Sequence, residues 1–446
     1  MKASLLKGRI LTEKEIKWAR HYRKIKLGKG CVTYYQILKI PGLIILQNKL
    51  KCNRCQTCFS KEEGKLAVKN VYYCPYCLVF GRITSKMFLY IIPYDYMFKK
   101  NQNYLVWEGK LSKYQQRVAQ QLCLNSQREQ LVWAVTGAGK TEMIYPLLNQ
   151  TLNQGLRICY LAPRIDVVNE LGRRFQSVFP HLSIPILHGQ KESSYVFSQM
   201  NVMTIHQLVR FVQCFDLLII DEVDAFPYNN NVFLQRQVYK SLRTNGKIVY
   251  LTATLTDSLN GLQKTCLTLP LRYHLQPLVV PKYYFLFPSY YYLKYKLVPG
   301  RIKYQIFKLQ RQVLIFFPNI QQMQRWTKLL QEKFPNLVIK CISSKSSDRM
   351  TIIEQMHAQI IQILCTTIIL ERGVTFPNID VWIMDAHHKS FTKQALIQIA
   401  GRVGRKSEYP TGNVLLFSTG RTTAINEAIK EIRHLNKLGK ELLYEM

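Results

Sequence analysis

The sequence predicts an α/β protein of two parallel-sheet lobes behind a small cysteine-rich module, on three observations. Short apolar, strand-like runs alternate with helical patterns from about Tyr104 to Val279. The alternation restarts after Pro281 and continues towards the C-terminus. A glycine-rich turn ending in lysine follows the first run of the first series and has no counterpart in the second. These observations set candidate units at residues 1–103, 104–279 and 280–446.

Five of the 12 cysteines lie between Cys52 and Cys77, within the first unit. Cys52-Asn53-Arg54-Cys55 and Cys74-Pro75-Tyr76-Cys77 are paired CxxC turns, a spacing that places four thiolates around Zn²⁺. Cys58 forms a competing Cys55-Gln56-Thr57-Cys58 turn. Cys52 is preferred because the Asn-Arg pair suits a knuckle. The scattered cysteines, Cys159 and Cys365 among them, lie in apolar runs and read as buried thiols rather than a disulfide scaffold.

In the second unit the expected strands are Leu131 to Val135, Arg157 to Leu161, Leu217 to Ile220 and Lys247 to Leu251. The first leads into Ala134-Val135-Thr136-Gly137-Ala138-Gly139-Lys140-Thr141, with alanine where the usual phosphate loop begins with glycine. Backbone N–H groups from Thr136 to Gly139 face the phosphates of a nucleotide. Lys140 adds charge at the β- and γ-phosphates, and the Thr141 hydroxyl reaches Mg²⁺. Leu217 to Ile220 then delivers Asp221-Glu222-Val223-Asp224, with Asp221 as the metal-side carboxylate and Glu222 to orient the attacking water. This pair of motifs predicts binding and hydrolysis of a nucleoside triphosphate.

The third unit predicts strands at Val313 to Phe317, Val338 to Ile342, Gln362 to Cys365, Val381 to Met384 and Val414 to Phe417. Gln398-Ile399-Ala400-Gly401-Arg402-Val403-Gly404-Arg405 follows, and on a helix Arg402 and Arg405 would point the same way. There they would neutralise charge on a γ-phosphate held by the opposite lobe. The tyrosine-rich stretch spanning Tyr283-Tyr284-Phe285 and Tyr290-Tyr291-Tyr292 is expected at the hinge, its rings more often packed than stacked on bases.

Charge narrows the partner. Sixty-two Lys and Arg against 27 Asp and Glu leave a net charge of +35, which points to nucleic acid or an anionic membrane surface. No apolar run reaches the length of a membrane span, the nearest being Met87 to Ile92 before Pro93. The N-terminal residues lack the apolar stretch of a secretory signal.

From about Leu111 onward the motifs, in their order, resemble those of the second superfamily of nucleic-acid helicases and translocases. The resemblance implies two RecA-like lobes. It makes Gln115, in Leu111-Ser112-Lys113-Tyr114-Gln115, the adenine reader, with Gln116 as an alternative from spacing. It places nucleic-acid contacts at Arg164 and in Thr204-Ile205-His206-Gln207, and coupling between the two sites at Thr252 and Thr254. Thr367, Arg372 and Thr375 would also contact DNA, and Gly373 the nucleotide.

With the cysteine module ahead of the motor and Asp221-Glu222-Val223-Asp224-Ala225-Phe226-Pro227-Tyr228, nearly the whole chain resembles the ComFA-type late competence translocases of Gram-positive bacteria. That resemblance implies movement of single-stranded DNA on the cytoplasmic side of the membrane, with peripheral membrane association. It also implies a competence DNA channel and a phosphoribosyltransferase-like companion as partners. Primosomal replication-restart helicases are the alternative motor, but they carry their zinc element among the motor blocks and usually end the metal block with His rather than Asp224. A zinc-containing nucleic-acid binder with a degenerate ATPase is the alternative of another class. Intact Lys140, Asp221, Glu222, Arg402 and Arg405 argue against it.

Overall fold

The computed structural model describes residues 7–15, 37–94, 96–189, 196–256, 259, 261–262, 265–344, 346, 348–370 and 376–444. Two sheets dominate, and every strand pair in each is parallel. The first runs in the order Leu267–Leu269, Glu129–Ala134, Leu242–Thr252, Phe215–Ile220, Ile158–Ala162, Met200–Thr204, Ile186–Leu187. The second runs Lys282–Phe285, Val414–Ser418, Ile379–Ile383, Gln312–Phe316, Ile363–Thr366, Ile339–Ile342. Each predicted strand is present, with its ends shifted by a few residues.

Parallel strands are covered on both faces, so they read as unbroken apolar runs. In Ile158–Ala162 all positions are buried. Ile158, Tyr160 and Ala162 join one apolar cluster, whereas Cys159 and Leu161 join another on the opposite face. The larger cluster continues through Leu271 and Leu278 to Leu314, Phe316 and Leu396, so the two lobes share a core.

The tyrosine-rich stretch is not the hinge. Lys282–Phe285 is the edge strand of the second sheet, paired with Val414–Ser418, and Tyr290 to Tyr292 belong to the helix Ser289–Lys294. Tyr284 stacks on Phe417 at 5.9 Å and Tyr292 meets Trp326 at 6.3 Å. Aromatic side chains favour a half-covered strand, and that preference draws the stretch into the lobe. The crossing between sheets lies just before it, in residues 270–281.

The N-terminal module consists of two three-stranded antiparallel sheets. One is Arg9–Thr12, Phe88–Ile92 and Leu38–Pro41, and the other is Leu43–Ile45, Lys49–Cys52 and Cys58–Ser60. It is not held by a linker alone. Its core includes Val209 of the first lobe, and Val212 N–H donates to Gly8 O at 3.0 Å. The helix Val232–Ser241 reaches into the knuckle: Gln237 Nε2 donates to Cys55 O at 2.8 Å and Lys240 Nζ to Arg54 O at 2.6 Å. Among the described residues no helix is long and apolar enough to cross a membrane.

Candidate active site and metal centre

The phosphate loop leaves the strand Glu129–Ala134 and turns twice through the left-handed region, at Gly137 (φ 81°) and Gly139 (φ 76°). A side chain at Gly139 would also strike the Gln115 amide. Lys140 opens the helix that follows, its Nζ donating to Ala134 O at 2.9 Å and Val135 O at 3.3 Å. Burial pulls this ammonium below the ordinary lysine range, against the attraction of Asp221, Asp224 and Glu222.

Asp221 and Glu222 sit where Phe215–Ile220 ends. Asp221 accepts from Tyr160 Oη at 2.8 Å and from Glu222 N–H at 2.8 Å. Burial pushes its carboxyl up to about 6, with Glu222 adding to the rise and Lys140 opposing it. Glu222 holds φ 51°, an uncommon conformation for a side chain of its size. Asp224 completes a buried bridge, accepting from Thr252 Oγ1 at 3.0 Å and Thr254 Oγ1 at 2.8 Å. The two threonines are therefore bonded directly to the turn carrying Asp221.

A cleft of about 480 Å³ gathers these groups between the lobes. Gln115, the loop from Thr136 to Thr141, Asp221 and Glu222 line one wall, and Gln398 and Arg405 the other. Gln115 is tied at both ends. Its Oε1 accepts from Ser112 N–H at 2.8 Å in a capping box, and its Nε2 donates to Ala138 O at 2.8 Å. Gln116 is exposed.

The arginines do not share a helix face. The helix Lys393–Ala400 ends before them, and Gly404 (φ 71°) turns the chain. Arg402 is fully buried, whereas Arg405 lines the cleft and donates from Nε to Gly401 O at 3.2 Å. Three-residue spacing aligns side chains only on a helix, and here it spans a turn.

A segment without a recognisable motif joins the two walls. Tyr273 N–H donates to Gly137 O at 3.1 Å, and Tyr273 Oη accepts from Ser407 N–H at 3.1 Å. Arg272 is buried along Gly137 and donates to Gly404 O at 2.5 Å and Gly401 O at 3.4 Å. His274 Nε2 lies 3.0 Å from Gly404 O. Burial, with Arg405 nearby, lowers the Arg272 guanidinium to about 9. The only sequence signal was polar residues between the apolar runs Leu267 to Leu271 and Leu278 to Val280.

The residues expected to touch nucleic acid divide. Arg164 caps the helix Ile165–Val178 after its strand, and Thr367 follows Ile363–Thr366. Thr204 is buried, and His206 packs on Phe80 of the N-terminal module at 6.2 Å. Arg372, Gly373 and Thr375 lie outside the described residues.

In the module, the sulfurs of Cys52, Cys55, Cys74 and Cys77 all lie within 4.8 Å of one another, and all four residues are buried. The 52–77 and 55–74 pairs are 3.8 Å and 3.6 Å apart. A tetrahedral zinc with Zn–S bonds of ~2.3 Å requires sulfurs about 3.8 Å apart, so the set fits that ion. Cys58 is exposed on its strand and outside the cluster.

Comparison with known proteins agrees with this architecture. Residues 2–91 match the competence protein ComFA N-terminal domain, 108–257 the type III restriction enzyme res subunit, and 301–407 the helicase conserved C-terminal domain. Competence protein ComFA of Streptococcus pneumoniae is 41% identical over 409 residues, covering 90% of this chain and 93% of that protein. The Bacillus subtilis protein of the same name is 33% identical over 451 residues, covering 98% and 95%. In fold, S. cerevisiae Dbp5 bound to RNA and ADP BeF3 gives a TM-score of 0.55 at 17% identity, covering 75% of this chain and 94% of that one. Mss116p bound to ssRNA and AMP-PNP gives 0.54 at 17% identity, covering 69% of each. The chain belongs to the ComFA family of competence proteins, and its two helicase lobes make it a nucleic-acid-dependent ATPase.

Proposed function

We propose that this chain is an ATP-driven motor that moves single-stranded DNA during transformation. Its working units are residues 1–103, 104–279 and 280–446. The supporting observation is that one cleft brings Lys140, Asp221 and Glu222 from the first lobe against Arg405 from the second. In this reading Lys140 exchanges the carbonyls of Ala134 and Val135 for the β- and γ-phosphates. Gln115 stiffens the loop while facing the base, and Glu222 aligns water for attack on the γ-phosphate. Mg²⁺, held by Thr141 and Asp221, would offset the charge of the phosphates. Arg405 stabilises charge in the transition state, and buried Arg402 shapes the turn that presents it. Asp224, through Thr252 and Thr254, carries the state of the cleft to the strand ends where Arg164 and Thr367 meet DNA. Thr204, His206, Arg372, Gly373 and Thr375 retain the roles given by resemblance.

Zn²⁺ at Cys52, Cys55, Cys74 and Cys77 would cross-link the module and fix the carbonyls that Gln237 and Lys240 grip. The family resemblance supports the cytoplasmic face of the membrane as the working place. It likewise supports a DNA channel and a phosphoribosyltransferase-like companion as partners.

Steady-state ATPase with no nucleic acid, single-stranded DNA, duplex DNA and RNA in parallel tests the proposal. Single-stranded DNA is expected to stimulate most, and equal rates in all four would refute it. Lys140→Ala is expected to lose ATP binding, whereas Glu222→Gln binds ATP but scarcely turns it over. A strain carrying Lys140→Ala at normal protein level should bind external DNA and fail to transform.

Arg272→Ala is expected to lower kcat about 100-fold with little change in KM for ATP, because its hydrogen bonds go to the turn bearing Arg405, while the Tyr273 backbone continues to hold Gly137. Arg272→Lys should recover only part of that loss, since one ammonium cannot hold both carbonyls as a fork does. A rise in KM with kcat unchanged would assign Arg272 to ground-state binding instead.

Purified protein is expected to hold about one Zn²⁺ per chain by metal analysis. Replacing Cys74 and Cys77 with serine should remove it, and Cys58→Ser should not. Freshly purified, reduced protein without zinc would eliminate the metal centre.

A further inference from the structure

From Ser258 to Gln331 the sequence has 11 lysines and arginines and no aspartate or glutamate. Within that stretch Phe285, Phe287, Tyr290, Tyr291 and Tyr295 are exposed at 61%, 60%, 69%, 44% and 54%. Four of these rings form a connected series, Phe285–Phe287 at 5.5 Å, Phe287–Tyr291 at 6.4 Å and Tyr291–Tyr295 at 4.9 Å, and Tyr290 lines the adjoining groove. The outward face is selected by what lies beneath it. Tyr292 and Leu293 pack into the lobe's core cluster, against Trp326 in the case of Tyr292, and so anchor the helix Ser289–Lys294. Contiguous exposed aromatic surface of this extent marks an interaction site.

Beside it runs a groove of about 630 Å³, with Tyr290, Lys294 and Lys296 along the aromatic segment and Arg325 and Lys328 on the helix Ile320–Lys333. Glu332 is the carboxylate along its wall. All six strands of the second sheet are parallel, so their C-terminal ends lie along one edge. Phe285 ends its strand at that edge, as Thr366 does, with Thr367 next in the chain. Four strand spacings separate them in the sheet order, or about 19 Å.

The geometry points to this surface as an additional binding site for single-stranded DNA, on the second lobe. Phe287, Tyr290 and Tyr291 stack bases, while Lys294, Lys296, Arg325 and Lys328 hold phosphates. The inference rests on the reading that the motor moves single-stranded DNA. Interleaved rings and ammonium groups match a strand that alternates bases with phosphates. An anionic bilayer would meet a flat or convex apolar face, whereas this one borders a groove walled by Arg325 and Lys328.

The test measures the Kd of labelled oligothymidylates of about 6 and about 20 nucleotides for the full-length protein, a range set by strand-binding site sizes. Tyr290→Ala and Tyr291→Ala are each expected to raise the Kd of the longer strand about 5- to 100-fold, and that of the shorter one much less. Tyr290→Phe and Tyr291→Phe should restore wild-type binding, because stacking needs the ring and not the hydroxyl. Tyr304→Ala serves as the control. Tyr304 is similarly exposed, at 49%, on the helix Gly300–Phe307, which leads back to the start of Gln312–Phe316, the next strand in the chain. Unchanged Kd in the alanine variants, or equal weakening by Tyr304→Ala, would overturn the site while leaving the motor reading intact. Loss of binding to phosphatidylglycerol vesicles with DNA affinity unchanged would overturn it in favour of a lipid surface. Wild-type protein that binds neither strand would overturn the motor reading as well.

Discussion

The segment carrying Arg272, Tyr273 and His274 is the constraint on which the working geometry depends. A motor of two lobes must present cationic groups from one to a phosphate held by the other, and flexible linkers do this poorly. Here the linker is part of the wall. Its backbone holds Gly137 of the phosphate loop, and its side chains hold the carbonyls of Gly401 and Gly404. A buried guanidinium that satisfies two carbonyls is costly to withdraw, because it would leave those acceptors without donors in a region closed to water. The turn bearing Arg405 is thus indexed to the phosphate loop through one short segment of chain.

How far this was legible in the sequence differs by element. The phosphate loop, the Asp221 turn and the strands beneath them could be read because their chemistry tolerates few residue types and their burial enforces apolar runs. Met200–Thr204 escaped notice because Asn201 and Thr204 interrupt its run, although both are buried in the fold. The aromatic stretch after Pro281 was misplaced at the hinge because composition alone does not separate a linker from an edge strand. Arg402 and Arg405 were expected side by side because spacing was read as helical, and the helix stops before them. Arg272 left almost no trace, since its role comes from carbonyls more than 100 positions away in the chain.

The cysteine module is joined to the motor by its backbone as well as by apolar contact. The knuckle's own carbonyls, at Arg54 and Cys55, accept from the helix Val232–Ser241 that follows the Asp221 turn. Tyr76, between the two cysteines of the second knuckle, stacks on Phe233 of the same helix at 6.3 Å. Carbonyl positions in a knuckle are set by the sulfurs on either side of them. Whatever fixes those sulfurs therefore also fixes the footing of a helix in the first lobe.

One contact between the lobes differs in kind from the others. Arg349 of the second lobe meets Asp166 of the first at 2.7 Å, with Asp166 exposed and Arg349 partly so. An ion pair so placed contributes ~0–1 kcal/mol and fades with ionic strength. It acts as a catch rather than a bolt: thermal motion releases it readily, and water replaces each partner at little cost. Salt therefore weakens this contact, whereas the buried bonds of Arg272 to the carbonyls of Gly401 and Gly404 are screened much less.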